Sequence, residues 1–293
     1  MSFVSSSCQV WGVLNVTPDS FSDGGLFYDR TAAVEHGLSL VEAGASVVDV
    51  GGESTRPPGN AYGEGYSSVS LKEELRRVIP TIADLAQSDV VVSVDTTKAE
   101  VAEQALSAGA CIVNDVSCAR NVRLLRTVAA HGAHLVVMHN RGRGECQGMN
   151  VRYGQVEVEV HAELMEAVQR ATNVGVDPRN IVIDPGVGFA KTSTQSLQLL
   201  ARIDILTKTG FPVLVGASRK SLIAEVARRG SEVPCVESRL GGSLALALLM
   251  AERGVSAVRV HDVFETHQAL AVAEGLRDAS SSKGRFPSVG SDR

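Results

Sequence analysis

One pattern recurs along the chain and constrains its fold more than any other feature. A helical stretch ends in a glycine, a short run of β-branched residues follows, and a polar residue comes after that run. Glycine after a helix supplies a left-handed cap, and continuously apolar runs are typical of strands covered on both faces of a parallel sheet. The pattern stands at residues 42–52, 107–117, 130–140, 173–186, 208–220 and 252–262.

Two further apolar runs, Val10 to Leu14 and Val90 to Val94, bring the predicted strands to about eight. Helical patterns lie between the strands, at 31–43, 71–87, 98–108, 121–130, 156–172, 194–208, 239–252 and 263–277. Eight alternating units predict an α/β fold with a single (β/α)8 barrel and long loops after strands 1 and 2. The alternative is an open doubly wound sheet, but no phosphate-binding glycine motif follows any strand. We predict one domain over residues 1–278 and a disordered tail at 279–293.

Composition excludes several classes of function. The net charge of −5 and a pI near 5.8 argue against binding nucleic acid or an anionic membrane through bulk charge. No apolar run approaches the roughly 20 residues of a membrane span. The five cysteines show no metal-ligand spacing, and we read them as reduced thiols. These features predict a cytoplasmic protein that holds any anionic ligand with local basic residues.

Polar residues follow the predicted strands, and in a barrel their side chains converge on one mouth. Asp49 has an alternative explanation as a brace for its loop, and Asn114 as a cap for backbone groups. Buried carboxylates at 95 and 184 are expensive unless something donates to them, so a ligand rich in N–H groups would suit them. The set comprises Asn15, Asp49, Asp95, Asn114, His139, Asp184, Ser218, Arg219, Lys220, Arg259 and His261.

Basic residues supply the other half of the predicted site. Arg56, Lys220 and Arg259 with His261 provide charge for a phosphate or carboxylate. Ser221 is expected near the start of a helix, where backbone N–H groups favour anions. We interpret Arg219 as a salt-bridging neighbour rather than a ligand of the substrate.

Eight ordered segments resemble the dihydropteroate synthases over residues 9–277. They read NVTPDSFSDGG, DVGGESTRP, SVDTTKAEVA, NDVS, MH, DPGVGFAKT, GASRKS and RVHDV. The resemblance implies a pterin-binding TIM barrel that joins 6-hydroxymethyl-7,8-dihydropterin diphosphate to 4-aminobenzoate in folate synthesis, releases pyrophosphate and is a target of sulfonamides. This chain departs from the family at Cys118, where glycine is common.

The resemblance also assigns roles to matching residues. Asp95, Lys220, Arg56 and His261 are the expected catalytic residues. The pterin is expected on Asp95, Asn114, Asp184 and Lys220, with its ring against Val116 and Met138. Pyrophosphate is expected on Asn15, Arg56, Arg259 and His261, with Mg²⁺ also on Asn15. The aminobenzoate pocket is expected from Thr55, Pro57, Phe189, Lys220 and Ser221.

Two other functions compete with a synthase. An inactive paralogue could keep the barrel, but it is expected to lose cations that this chain keeps in its STR and SRK segments. A pterin-binding methyltransferase module would normally accompany a cobalamin domain, for which no chain remains. We further predict a homodimer, because the helix at 243–251 is apolar nearly all round. The long loops at 17–27 and 51–70 predict that a sulfonamide binds only after magnesium and pyrophosphate.

Overall fold

The computed structural model describes residues 7–17, 30–53, 69–141 and 152–281, in which parallel strands alternate with helices. The strands are β1 (Gln9–Asn15), β2 (Val47–Gly51), β3 (Val92–Asp95), β4 (Ile112–Asp115), β5 (His134–Met138), β6 (Ile181–Asp184), β7 (Leu214–Val215) and β8 (Ala257–Val260). The α-helices are α1 (Arg30–Glu42), α2 (Leu71–Gln87), α3 (Ala99–Ser107), α4 (Val122–His131), α5 (Val156–Asn173), α6 (Ser193–Ala201), α7 (Asp204–Thr207), α8 (Ser221–Val226), α9 (Leu240–Glu252) and α10 (Val263–Ser281). Within the described ranges, no helix combines the length and apolarity that crossing a membrane requires.

The eight strands form one parallel sheet that curls into a barrel. Their order is β6-β5-β4-β3-β2-β1-β8-β7. A parallel bridge between Ile183 and Val213 joins β6 to the residue before β7, so it links the two ends of the sheet. The predicted (β/α)8 architecture is therefore confirmed.

Alternation along the strands separates two apolar layers. Because successive side chains point to opposite faces, one set fills the barrel and the other meets the helices. Outward residues such as Val48 and Val113 belong to the large core between sheet and helices. A smaller buried cluster closes the barrel interior and consists of Trp11, Val47, Ile112, Val136, Val182, Leu214 and Ala257. The inward-pointing residues that follow this layer along the strands lie toward the carboxyl end of the barrel.

Local signals explain where helices begin and end. The Asn121 side chain accepts hydrogen bonds from the backbone N–H groups of Arg123 and Leu124, which caps the first turn of α4. Gly132 ends the same helix with φ of 60°, a conformation that glycine adopts without strain. The predicted helix at 121–130 therefore differs from the observed one by a single residue at each end.

Two predicted elements differ from the structure, and one observed helix was not predicted. The predicted helix at 194–208 is split into α6 and α7, because the hydrogen bonds between them span three residues rather than four, as from Ile205 to Arg202. The periodicity continued through this break because Leu199, Ile203 and Leu206 are all buried. The short helix α8 was not predicted, and α10 continues to Ser281, three residues into the predicted tail. The rest of that tail lies outside the described residues.

Candidate active site

The barrel interior changes from apolar to polar toward the carboxyl ends of the strands. Each polar position stands two residues after a member of the inner apolar layer, so its side chain points the same way. These positions are Asp49 after Val47, Asn114 after Ile112, Asp184 after Val182 and Arg259 after Ala257. The structure thus brings these four predicted residues together beyond the inner apolar layer.

Arg259 connects two buried carboxylates in this layer. Its Nε donates to Asp49 Oδ2 at 2.5 Å, and its second guanidinium nitrogen donates to Asp95 Oδ2 at 3.2 Å. Burial alone would lower the pKa of Arg259, but Asp49 and Asp95 raise it above its ordinary value. Arg259, which was predicted to bind pyrophosphate, therefore lies within the carboxylate cluster. Its positive charge balances the two carboxylates, whose burial would otherwise be costly.

Asn15, Gly51, Asp95 and Asn114 are neighbours across four adjacent strands. The register pairs Asn15 with Gly51, Gly51 with Asp95, and Asp95 with Asn114. Because Gly51 has no side chain, its neighbours approach each other: a Cβ built there would lie 3.6 Å from the Asp95 Cβ and 3.7 Å from Asn15 Oδ1. The predicted metal ligand and the predicted catalytic carboxylate are thus adjacent.

Asp184 and Lys220 form the other side of the mouth. Asp184 Oδ1 accepts from the Gly186 backbone N–H at 2.6 Å, and Lys220 Nζ donates to the Val187 carbonyl oxygen. Burial raises the pKa of Asp184, and the nearby Lys220 opposes that rise. Burial likewise lowers the pKa of Lys220 to about 8. Lys220 Nζ also lies 4.7 Å from the centre of the Phe189 ring, which is a cation–π distance.

Lys191 fixes the loop that follows Asp184, and sequence reasoning did not single it out. Its buried Nζ lies 2.8 Å from His139 Nδ1, 3.0 Å from the Gly186 carbonyl oxygen and 3.1 Å from that of Phe189. Three acceptors match the three protons of an ammonium group. The signal available in the sequence was a lysine within the DPGVGFAKT segment, but nothing there indicated burial.

The same loop contains a turn that only glycine can make. Gly186 has φ of 65°, and a Cβ at this position would lie 1.9 Å from the His139 carbonyl oxygen. No side chain can occupy that space, so the backbone of Gly186 packs directly on the end of β5. The close approach brings the amide of Gly186 to Asp184.

His139 does not join the mouth, so its predicted place among the converging residues is wrong. Met138 ends β5 with its side chain toward the interior, and the next residue therefore points outward. His139 is fully buried, and its Nε2 lies 3.1 Å from Glu163 Oε2 on α5. Burial, followed by the charges of Lys191 and Arg141, lowers the pKa of His139 to about 2. The imidazole is neutral, accepts from the Lys191 ammonium and donates to Glu163.

Most of the remaining predicted residues lie in the described part of the chain, and three lie outside it. His261 Nδ1 lies 3.1 Å from Ser218 Oγ, and Ser221 is the first residue of the short helix α8. Arg219 pairs with Asp262 through Nε at 3.0 Å, in agreement with its interpretation as a salt-bridging residue. The structure also buries the side chains of Val116 and Met138. Thr55, Arg56 and Pro57 lie outside the described residues.

Cys118 occupies a backbone position that favours glycine. Cys118 and Ala119 have φ of 64° and 55°, in the left-handed region. Asp115 holds the turn by accepting from the backbone N–H groups of Ser117 and Ala119, both at 2.8 Å. Arg170 donates to the Cys118 carbonyl oxygen at 3.0 Å. These contacts offset the strain of a non-glycine residue at this point.

Comparison with known proteins gives a consistent result. The family model for pterin binding enzymes matches residues 11–261. The chain is 42% identical over 269 residues to the dihydropteroate synthase of Synechocystis, covering 91% of this chain and 89% of the relative. A solved dihydropteroate synthase of Xanthomonas albilineans with 4-aminobenzoic acid is 44% identical, with a TM-score of 0.83 over 92% of this chain and 93% of that one. That of Yersinia pestis with a sulfonamide drug is 36% identical, with a TM-score of 0.85 over 95% and 96%.

We expect Lys191→Met to change how stability depends on pH. Burial lowers the pKa of Lys191 from 10.5 to about 7, so between these values the unfolded chain binds a proton that the folded chain does not. This group therefore makes the free energy of unfolding rise with pH from 7 toward 10.5. Urea unfolding at pH 7, 8 and 9 should show a steeper rise for the original chain than for the variant.

Lys208→Met is the matched control, because Lys208 is exposed and pairs only with Asp204 among the contacts observed here. Its curve should run parallel to that of the original chain. Parallel curves for Lys191→Met as well would contradict the depressed pKa.

Proposed function

Since the chain belongs to the family of pterin binding enzymes, we propose that it joins 6-hydroxymethyl-7,8-dihydropterin diphosphate to 4-aminobenzoate, forming 7,8-dihydropteroate and pyrophosphate. The observation that carries the proposal is the convergence of Asp95, Asn114, Asp184 and Lys220 on one barrel mouth. The 4-aminobenzoic acid in the related Xanthomonas structure supports the choice of the second substrate.

The pterin ring suits the polar side chains at the mouth of the barrel. It carries an amino group and ring N–H groups, which are donors, next to a carbonyl oxygen and ring nitrogens, which are acceptors. Asp184 and Asp95 would accept from the donors, while Lys220 would donate to an acceptor. Asn114 can do both, and Val116 and Met138 would pack against the ring faces.

The diphosphate and the metal would lie on the Asn15 side. Arg259 and His261 are the described groups that could contact the diphosphate, and Arg56 remains an expectation from sequence. In the described ranges no three His, Cys, Asp or Glu residues cluster as a metal cage. Mg²⁺ needs only one or two protein oxygens when phosphates and water complete its shell, so Asn15 beside Asp95 fits it. When bound, the ion would neutralise charge on the departing pyrophosphate.

The reaction needs no protein nucleophile. The bond between the pterin methylene carbon and the diphosphate oxygen breaks, the aryl amine forms the new carbon–nitrogen bond, and the nitrogen then loses a proton. Carboxylates such as Asp95 would stabilise positive charge on the methylene carbon, and the cationic groups would stabilise the leaving group. Phe189, Lys220 and Ser221 would frame the amine, together with Thr55 and Pro57 of the loop outside the described residues.

The two competing functions are less well supported by the site. An inactive paralogue is expected to lose its cations, but Lys220 and Arg259 are present and packed against carboxylates or carbonyl oxygens. The relatives reported above are dihydropteroate synthases rather than methyltransferase modules. The expected dependence of sulfonamide binding on magnesium and pyrophosphate stays a prediction, since most of the two loops lies outside the described residues.

A homodimer is the second part of this proposal. α9 packs against α10, and large apolar side chains on both helices face solvent. Leu249 on α9 is 44% exposed, while Phe264, Val272 and Leu276 on α10 are 60–68% exposed. Large apolar side chains exposed on two packed helices are typical of an interface, and an identical subunit can cover them symmetrically.

Pyrophosphate release tests the proposed reaction. We expect release only when the pterin diphosphate and 4-aminobenzoate are both present. EDTA should stop it, and added magnesium should restore it. No release with both substrates and magnesium would refute the proposed activity, while activity that survives EDTA would refute only the metal.

Asp184→Asn should weaken pterin binding without unfolding the protein. The amide oxygen can still accept from the Gly186 N–H, but the charge-assisted bonds to the pterin are lost, which costs about 1.5 to 3 kcal/mol, or roughly ten- to 150-fold in affinity. Calorimetry with a pterin ligand measures this, with thermal unfolding as the check on the fold. Asp204→Asn is the control, because Asp204 is exposed on α7. Unchanged affinity in Asp184→Asn would contradict its role.

Sedimentation velocity at micromolar concentration tests the dimer. We expect twice the 30.8 kDa mass of the chain. Leu249→Arg should shift the protein toward monomer, because a charge in an apolar interface loses its water. Val158→Arg on α5 is a matched control, since Val158 is 46% exposed on a different helix. A monomeric mass for the original chain would exclude this interface.

A further inference from the structure

Asp49 lies at the centre of the site, although its sequence context suggested only a brace for its loop and no expected substrate contact includes it. It is the third residue of β2, and its side chain is fully buried. One oxygen, Oδ2, accepts from two residues of the mouth, Arg259 Nε at 2.5 Å and Asn114 Nδ2 at 3.0 Å. A single atom therefore joins β2, β4 and β8 across the barrel.

The two bonds to Oδ2 fix the orientation of the groups that make them. Because the Asn114 amide nitrogen donates to Asp49, the amide oxygen is the atom left to accept from a ligand. Because Nε of Arg259 is held, the guanidinium plane is fixed, and its contact with Asp95 is the longer one, at 3.2 Å. Asp49 is thus the main anchor of Arg259.

Burying this carboxylate is costly for the folding of the barrel. Asp49 Oδ1 has no hydrogen-bond partner among the described residues, so the charge is only half compensated by hydrogen bonds. An apolar residue could fill the same interior position at lower cost. A buried charge kept at such a cost is a frequent feature of functional sites.

We propose that Asp49 is a positioning residue for the pterin substrate, which holds the Asn114 amide and the Arg259 guanidinium in the orientation that the ring requires. This inference rests on the proposed function and deepens it. Asp49 acts through its two neighbours, so its loss should affect the pterin substrate and leave the aryl amine largely unaffected. The aryl amine is expected beside Phe189 and Lys220, on the other side of the mouth.

Asp49→Asn is the central variant. An asparagine has the same shape, and its amide oxygen can still accept from Asn114, but it lacks the charge that anchors Arg259. We expect KM for the pterin diphosphate to rise, or its kcat/KM to fall, by about tenfold or more. KM for 4-aminobenzoate should change less than about twofold. Equal changes for both substrates, or no change, would overturn the proposal.

Ser93→Ala is the matched control. Ser93 pairs with Asp49 across β2 and β3, is equally buried, and its hydroxyl has no partner among the described residues. Its removal should leave both KM values unchanged. A pterin-specific loss in Ser93→Ala as large as that in Asp49→Asn would mean that any change at this depth disturbs the site, and it would overturn the assignment.

A double-mutant cycle on Asn114→Ala and Arg259→Gln keeps the proposal testable if Asp49→Asn does not fold. Both residues bind the same oxygen of Asp49, so their effects on pterin affinity should not be independent. We expect the combined loss to differ from the product of the single losses by at least about threefold. A product within error would overturn the proposal. If the original chain itself shows no pyrophosphate release, the proposed function fails first, whereas an active chain with independent effects refutes only the role of Asp49.

Discussion

The pairing of one guanidinium with two buried carboxylates is the interaction on which the mouth of the barrel depends. Arg259 lies between Asp49 and Asp95, and its own side chain is 21% exposed. Without the cation, two carboxylates at this depth would repel each other. With it, their charges are balanced, and a substrate rich in N–H donors meets acceptors that are already oriented. Arg259, which could contact the diphosphate, also pairs with Asp95, which is proposed to bind the ring, and with Asp49, which is proposed to position it.

The opposite side of the mouth shows the same balance with a different arrangement. Asp184 lies near the buried Lys191 and the partly buried Lys220. Lys191 is fixed by three acceptors behind the loop, whereas Lys220 reaches toward Val187 and Phe189 at the mouth. One lysine therefore shapes the loop and the other is placed to contact a ligand. The loop after Asp184 is therefore held by Lys191, while the basic group at the mouth comes from the segment before α8.

The inner apolar layer explains why these charges share one end of the barrel. Trp11 and its neighbours fill the middle of the interior, and Asp49, Asn114, Asp184 and Arg259 project inward two residues after members of this apolar layer. A site built in this way draws residues from strands far apart in sequence, such as Asp49 and Arg259. The same alternation points His139 away from the barrel interior, toward the helices, where its side chain contacts Glu163 and Lys191.

The sequence by itself determined the eight strand–helix units, because apolar runs and capping glycines are local signals, and its ordered segments indicated most of the site. The sequence did not determine the lengths of all helices and strands, because the periodicity of residues 194–208 persists through a break and β7 has only two residues. Only the tertiary structure decided that Arg259 pairs with Asp49 and Asp95, that Lys191 is buried behind the site, and that His139 is not part of it. These are contacts between residues distant in sequence, and burial and pairing depend on the closed barrel rather than on any neighbour along the chain.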